Sequence, residues 1–166
     1  GQSVSLLPLE TCQTMNGMWG YKIIDQNYKS ADTLIRYLVS TAGKGANLLL
    51  NVGPQPNGEL PSAALDRLKE IGTWTRRYGE TIYGTTAGDI AAQEWGVTTR
   101  KGDQLFVHIF NHDAKELHLP LSCKVKEAFI YDTKQPLKVK RTKEGVTLLF
   151  EEVPSGTDYI VVLKTK

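Results

Sequence analysis

The 166-residue chain has two cysteines, no N-glycosylation acceptor, no long apolar run and no basic stripe. Cys12 and Cys123 lie far apart with no metal-ligand spacing around either. That excludes a dense disulfide framework or a zinc module, and both are expected as free thiols. No Asn-x-Ser/Thr occurs, so N-glycosylation is not indicated. The longest apolar run centres on Leu48–Leu50, far short of the roughly 20 residues a membrane helix needs. Lys and Arg are interspersed with Asp and Glu, and the net charge is +2. That leaves no electrostatic case for nucleic acid. No basic n-region of a secretory signal opens the chain. Gly rather than Met at position 1 fits processing, a tag scar or a fragment. The remaining composition, 40% hydrophobic and 23% charged, is that of a soluble globular protein of one domain or two small ones.

The pattern changes character near Gly84–Gly88. Before it, Ser30 reads as a helix N-cap, followed by Leu34, Ile35, Leu38 and Val39 at helical spacing and Gly43 as a stop. Ala46–Val52 is short and nearly all apolar, the pattern of a strand buried on both faces of a parallel sheet. Pro54–Gly58 is a loop by composition. Pro61 opens a second helix, with Leu65, Leu68, Ile71, Trp74 and Thr75 as its buried stripe and Gly79 as its cap. Helix, buried strand and helix make an α/β layer. After residue 89 the chain reads as short strands over 105–110, 115–119, 128–131, 137–140, 146–150 and 159–163, separated by turn signals. That spacing predicts an antiparallel β-sandwich. One buried strand and two helices cannot close a parallel sheet alone, so the first segment calls for more chain upstream or a partner.

The densest chemistry lies in Glu10-Thr11-Cys12-Gln13-Thr14-Met15-Asn16-Gly17-Met18-Trp19-Gly20-Tyr21. It reads as loop, neither clean helix nor clean strand. It sets one carboxylate and two aromatics among hydrogen-bonding side chains, a mixture that lines sites. Elsewhere the residues read as structural. Trp74 and Trp95 fit a core, and Glu80 and Glu94 fit structural roles. His108 and His112 stand four apart on a strand and its turn, not on the helix that a zinc pair uses, so no metal site is expected.

The Glu10–Tyr21 stretch resembles the Glu-x-Cys-x-Thr…Ser-Trp-Gly-Tyr signature of the α-L-fucosidases of glycoside hydrolase family 29. Ala42–Pro54, Asn57-Gly58-Glu59 and Tyr78–Gly84 are similar to the segments that follow it in that family, so the likeness covers roughly residues 8–84. The pattern departs at Leu9 and Met18, where the family often has Trp and Ser.

The resemblance implies the last part of a TIM-like (β/α) barrel over residues 1–86, followed by a β-sandwich over 87–166. It implies a retaining exo-glycosidase acting on fucosylated glycans without a cofactor, in which two carboxylates flank the glycosidic bond. Glu10 takes the position of the acid/base. The Asp nucleophile belongs to an earlier barrel strand, and no Asp here matches its motif. Trp19 and Tyr21 become candidates for sugar contact. Asn51, at the C-terminal end of its strand, joins them, with bonding of the Gly53-Pro54 turn as the plain alternative. The implied partners are the glycan substrate and the upstream barrel portion of the same protein, with neither nucleic acid nor membrane. The implied compartment is periplasmic, secreted or lysosomal. A non-catalytic carbohydrate-binding or accessory β-sandwich, or a purely structural domain, stays open as an alternative.

Overall fold

The computed structural model describes residues 7–166. Strand β1, Leu9–Thr14, pairs in parallel with β2, Ala46–Asn51, and helix α1, Ala31–Gly43, makes the crossover between them. Helix α2, Ser62–Tyr78, follows and runs into a 3-10 turn at Gly79–Thr81. The rest of the chain is antiparallel. Strands β3 (Thr86–Ala87), β4 (Gly96–Lys101), β5 (Gln104–Ile109), β7 (Val125–Ile130) and β10 (Tyr159–Thr165) form a five-stranded sheet in the order β3-β4-β5-β10-β7. Strands β6 (Glu116–Leu119), β8 (Lys138–Thr142) and β9 (Gly145–Leu149) form a three-stranded sheet in the order β6-β9-β8.

Alternation along the strands sorts the apolar residues into two cores. Leu105, Val107, Val161 and Leu163 pack with Leu117, Leu119, Val146 and Leu148 between the two antiparallel sheets. From the opposite face of the five-stranded sheet, Val97, Phe106, Ile160 and Val162 meet Ala31, Ile35, Val39 and Trp74 of the helices. A third, smaller cluster, Met15, Leu34 and Ala64 with Leu50 and Ile71, joins the helices to β2. The helical layer is therefore packed between the parallel pair and the five-stranded sheet.

Helix α1 starts where its cap chemistry requires. The Ser30 hydroxyl accepts from the Thr33 N–H, satisfying one of the orphan donors of the first turn. At its other end Gly45, with φ +71°, turns the chain into β2. Gly43 matters for packing instead. A Cβ there would come within 2.7 Å of the Val97 side chain, so its bare Cα lets α1 press onto β4. Arg36 fastens the same helix to the strand ends. Its guanidinium donates to the carbonyls of Thr157 and Phe110, each at 2.8 Å, and of Gly156 at 3.1 Å.

Three expectations need correction. Glu10–Thr14 is strand, not loop, and only the segment beyond it is irregular. Its polar sequence hides the strand because the strand is defined by pairing with β2 rather than by apolar alternation of its own. Strand β2 is not buried on both faces within this chain: Leu49 is 43% exposed. Helix α2 is turned so that Ala64 and Trp74 are buried while Leu65 and Leu68 are exposed. Its packing partners, α1 and the five-stranded sheet, lie on the Ala64–Ile71–Trp74 side.

Candidate functional site

The parallel pair sets the geometry. Its register places Glu10 beside Asn47 at the start of the strands and Thr14 beside Asn51 at their end. The loop from Met15 to Lys29 leaves the C-terminal end of β1 and returns to α1. Lys29 anchors both of its ends: its ammonium donates to the carbonyls of Thr14, at 2.8 Å, and Asn16, at 3.0 Å. Its backbone N–H bonds the Met15 carbonyl at 2.8 Å. Arg67 of α2 in turn donates to the Lys29 carbonyl at 2.9 Å.

Within that loop Trp19 and Tyr21 are held against the end of β2. The Asn51 side-chain amide donates to the Trp19 carbonyl at 2.7 Å. Gly53 lies so close that a Cβ would meet the Tyr21 nitrogen at 2.6 Å, so only glycine fits under the Trp19–Tyr21 backbone. The structure thus brings Trp19, Tyr21 and Asn51 together. The Asn51 side chain bonds the backbone of the Trp19 loop rather than the Gly53-Pro54 turn. Trp19 is 54% exposed.

Glu10 is not brought to this cluster. It lies four residues before Thr14, about 13 Å along an extended strand. It lines a groove of about 550 Å³ shared with Tyr37, Ser40 and Lys44 of the C-terminal half of α1. The carboxylate that does share the loop with Trp19 and Tyr21 is Asp25. Its Oδ2 accepts from the Gly17 N–H at 3.0 Å, and its carbonyl accepts from the Asn16 amide at 3.3 Å. Its charge reaches Tyr28, whose phenol is pushed above its ordinary range, first by burial and then by the charges of Asp25 and Tyr21. Sequence reasoning passed over Asp25 because the recognisable stretch stops at Tyr21. The signal available was an acidic residue in the irregular segment between a strand end and a helix cap.

Other candidates resolve into structure. His108 is fully buried, with Nδ1 at 2.9 Å from Asp158 Oδ2 and Nε2 at 3.2 Å from the Thr99 hydroxyl. Glu80 accepts a hydrogen bond from the Tyr131 hydroxyl. No group of His, Cys, Asp or Glu among the described residues has metal-site geometry. Cys12 and Cys123 are free thiols. No helix among the described residues is long and apolar enough to cross a membrane.

Comparison with known proteins joins the two halves of this picture. The family model for α-L-fucosidase matches residues 2–80. The α-L-fucosidase of Dictyostelium discoideum is 31% identical over 153 residues, covering 84% of this chain and 33% of that protein. The solved α-L-fucosidase isoenzyme 1 from Paenibacillus thiaminolyticus superposes with a TM-score of 0.86 at 32% identity, over 96% of this chain and 40% of that one. The chain belongs to the α-L-fucosidase family. It corresponds to the C-terminal part of the family's members, and it spans about a third of the length of the curated relatives it matches. A GH29 α-L-fucosidase from Bacteroides thetaiotaomicron, trapped as a covalent intermediate with 2-fluoro-fucosyl fluoride by means of a Glu-to-Gln mutant, superposes with a TM-score of 0.85. That match has 25% identity and covers 95% of this chain and 38% of that one. The family likeness therefore extends through the antiparallel sheets, beyond the stretch whose residues resemble the signature.

Proposed function

We propose that this chain is part of a retaining α-L-fucosidase: the end of a (β/α) barrel over residues 1–86, braced by a β-sandwich over 87–166. The observation that carries this is the superposition of 96% of the chain on a solved α-L-fucosidase. The retaining route is supported by the Bacteroides relative, whose covalent intermediate persists in a Glu-to-Gln mutant. That behaviour fits a glutamate that serves the breakdown of a fucosyl-enzyme. The nucleophilic Asp belongs to the upstream barrel, and the substrate is a fucosylated glycan. Trp19 offers the apolar face of its ring to the 6-deoxy sugar. Tyr21 stands beside it, and Asn51 holds the loop that carries both.

The signature assigns the acid/base to Glu10. The geometry favours a second assignment. Catalytic groups of (β/α) barrels come from the C-terminal ends of the strands. That is where Asp25 lies, within the Trp19–Tyr21 loop, whereas Glu10 lies toward the opposite end of β1.

One experiment tests the function and separates the two carboxylates. Glu10→Gln and Asp25→Asn are made in the full-length protein and assayed with an activated aryl α-L-fucoside and with a fucosylated oligosaccharide. The acid/base variant should lose the oligosaccharide by about 10²–10⁴-fold, the usual contribution of a positioned acid. It should keep fucosylation from the aryl substrate, and azide should restore its turnover. The other variant should show neither signature. A full-length protein inert toward both substrates rejects the function, and wild-type behaviour of both variants rejects both assignments.

A further inference from the structure

An open cleft of about 440 Å³ lies away from the parallel pair, lined by Glu94, Trp95, Asn111, His112 and Asp113. The fucosidase chemistry uses none of these residues. Trp95 is half-buried: it packs against the core between the two sheets and also borders the cleft. The other four bring a mixed set of hydrogen-bonding groups. The carboxylates of Glu94 and Asp113 have no hydrogen-bond or ion-pair partner among the described residues and offer acceptors. The Asn111 Oδ1 accepts from Arg36 at 3.3 Å, which leaves its amide N–H groups as donors. His112 Nε2 lies 3.0 Å from the Glu116 carbonyl. A carbonyl only accepts, so the proton sits on Nε2 and Nδ1 is free.

Acceptors and donors that line one cleft with an aromatic side chain match a sugar, whose hydroxyls each donate and accept and whose ring carbons present an apolar face. A simple cation would use the carboxylates but not the amide donor. The location adds to the case. Asn111 and the 156–157 turn are tied to α1 through Arg36 and through the Thr157–Asp32 hydrogen bond. Asp32 is the second residue of α1, next to the end of the helix where the Trp19–Asp25 loop arrives. The cleft and that loop therefore flank the same end of α1.

We propose that the Glu94–Trp95–Asn111–Asp113 cleft is a second saccharide site, which holds a neutral part of the glycan while its fucose is engaged at the Trp19 loop. The link to catalysis rests on the fucosidase reading, but binding at the cleft does not. The test uses the full-length protein and the variants Asp113→Asn and Glu94→Gln, both at exposed positions that leave Trp95 in its packing. Calorimetric titration with fucose-free cellohexaose and chitohexaose should show binding. Each variant should weaken it by about tenfold, the loss of one charge-assisted hydrogen bond. The same variants should raise KM for a fucosylated oligosaccharide and leave the aryl α-L-fucoside unchanged. Hydrolysis that is intact and equal in wild type and variants, with no oligosaccharide binding, overturns the inference and leaves the fucosidase reading standing. Binding without hydrolysis of any fucoside keeps the cleft and removes that reading. Displacement of the sugar by tetramethylammonium, or binding of that cation alone, overturns the saccharide assignment in favour of a cation site.

Discussion

In the antiparallel region the chain covers its own five-stranded sheet on both faces. Leu105, Val107, Val161 and Leu163 are sealed by β6 and β9, and Phe106, Ile160 and Val162 by the two helices. In the parallel region only one side is covered. Leu50 packs toward the helices, while Leu9, Glu10, Cys12, Asn47 and Leu49 remain exposed. Parallel strands are normally buried on both faces. The difference supports the proposed reading of the parallel pair as a piece of a larger sheet. It also bears on the idea of a freestanding accessory domain. The antiparallel region owes one of its two covered faces to α1 and α2, so releasing it from the helices would uncover Phe106, Ile160 and Val162 together with the buried His108–Asp158 pair.

The comparison breaks most visibly in activity. Gly1–Lys166 expressed alone should not hydrolyse an aryl α-L-fucoside, whereas the full-length protein should. A retaining route without its nucleophile has no covalent path. On the proposed reading the isolated chain also lacks the barrel walls that orient the sugar, so the rate should fall by at least about 10⁵-fold, the lower end of what positioning contributes. Comparable turnover by a pure monomer of 166 residues would mean that the parallel region is catalytically complete.

Next in size is packing. Leu148, fully buried between the sheets, should cost about 2–5 kcal/mol when truncated to alanine, in the isolated chain and in the full-length protein alike. Leu49→Ala should be near neutral in the isolated chain, where the side chain is 43% exposed. In the full-length protein it should approach the cost of Leu148→Ala, because the rest of the barrel would then cover it. Denaturant melts of the four variants against their two parent proteins decide this. A Leu49→Ala cost that does not depend on the upstream chain would remove the barrel reading.

The two regions also differed in how far the sequence could be followed. Helix α1 and strands β5, β9 and β10 were legible because cap, period and apolar content agree with their surroundings. Strand β4 was missed. Gly96-Val97-Thr98-Thr99-Arg100-Lys101 alternates weakly, and the Gly102-Asp103 turn after it looks like part of a longer loop. Only the first half of the α2 stripe was misplaced: Ile71 and Trp74 pack as their spacing suggests, whereas Leu65 and Leu68 follow the same spacing but stay exposed among the described residues. At the site, Trp19 and Tyr21 stood out by their motif and Asn51 by its place at a strand end, and the structure brings the three together. Glu10 was placed in a loop because its strand has no apolar alternation, so its distance from Trp19 was invisible without the register. Asp25 depends on a chain reversal that brings its carboxylate back to the Gly17 N–H, a contact between residues eight apart with no local pattern.

A smaller effect concerns the start of α1, which both regions share. Ser30→Ala removes the hydroxyl that accepts from the Thr33 N–H and should cost about 1 kcal/mol. Both regions should melt together at the lower temperature, because α1 contributes to the cores on both of its sides. Calorimetry resolving two separate transitions in the variant would show that the helix binds them less tightly than its contacts imply.

The smallest expected effect is a slope with pH, and it probes the joint between the regions. Tyr131 packs in the helix-facing core, and its hydroxyl donates to Glu80 of the 3-10 turn. Burial, followed by the Glu80 hydrogen bond and charge, holds its phenol well above the ordinary range. In the unfolded chain the phenol titrates near its usual value of about 10. Below that pH both states keep the proton and stability does not respond. Above it the unfolded chain releases the proton while the folded protein retains it. The folded state then binds more protons, so stability falls as pH rises. Tyr131→Phe removes the group that titrates. Its melting temperature should be lower near neutral pH, where the Glu80 hydrogen bond is lost, and should decline less steeply through the alkaline range, so that the two curves converge. Circular-dichroism melts at a series of pH values from about 8 to about 11.5 would show this. Parallel curves would mean that the Tyr131–Glu80 contact does not couple the sheet to the turn after α2.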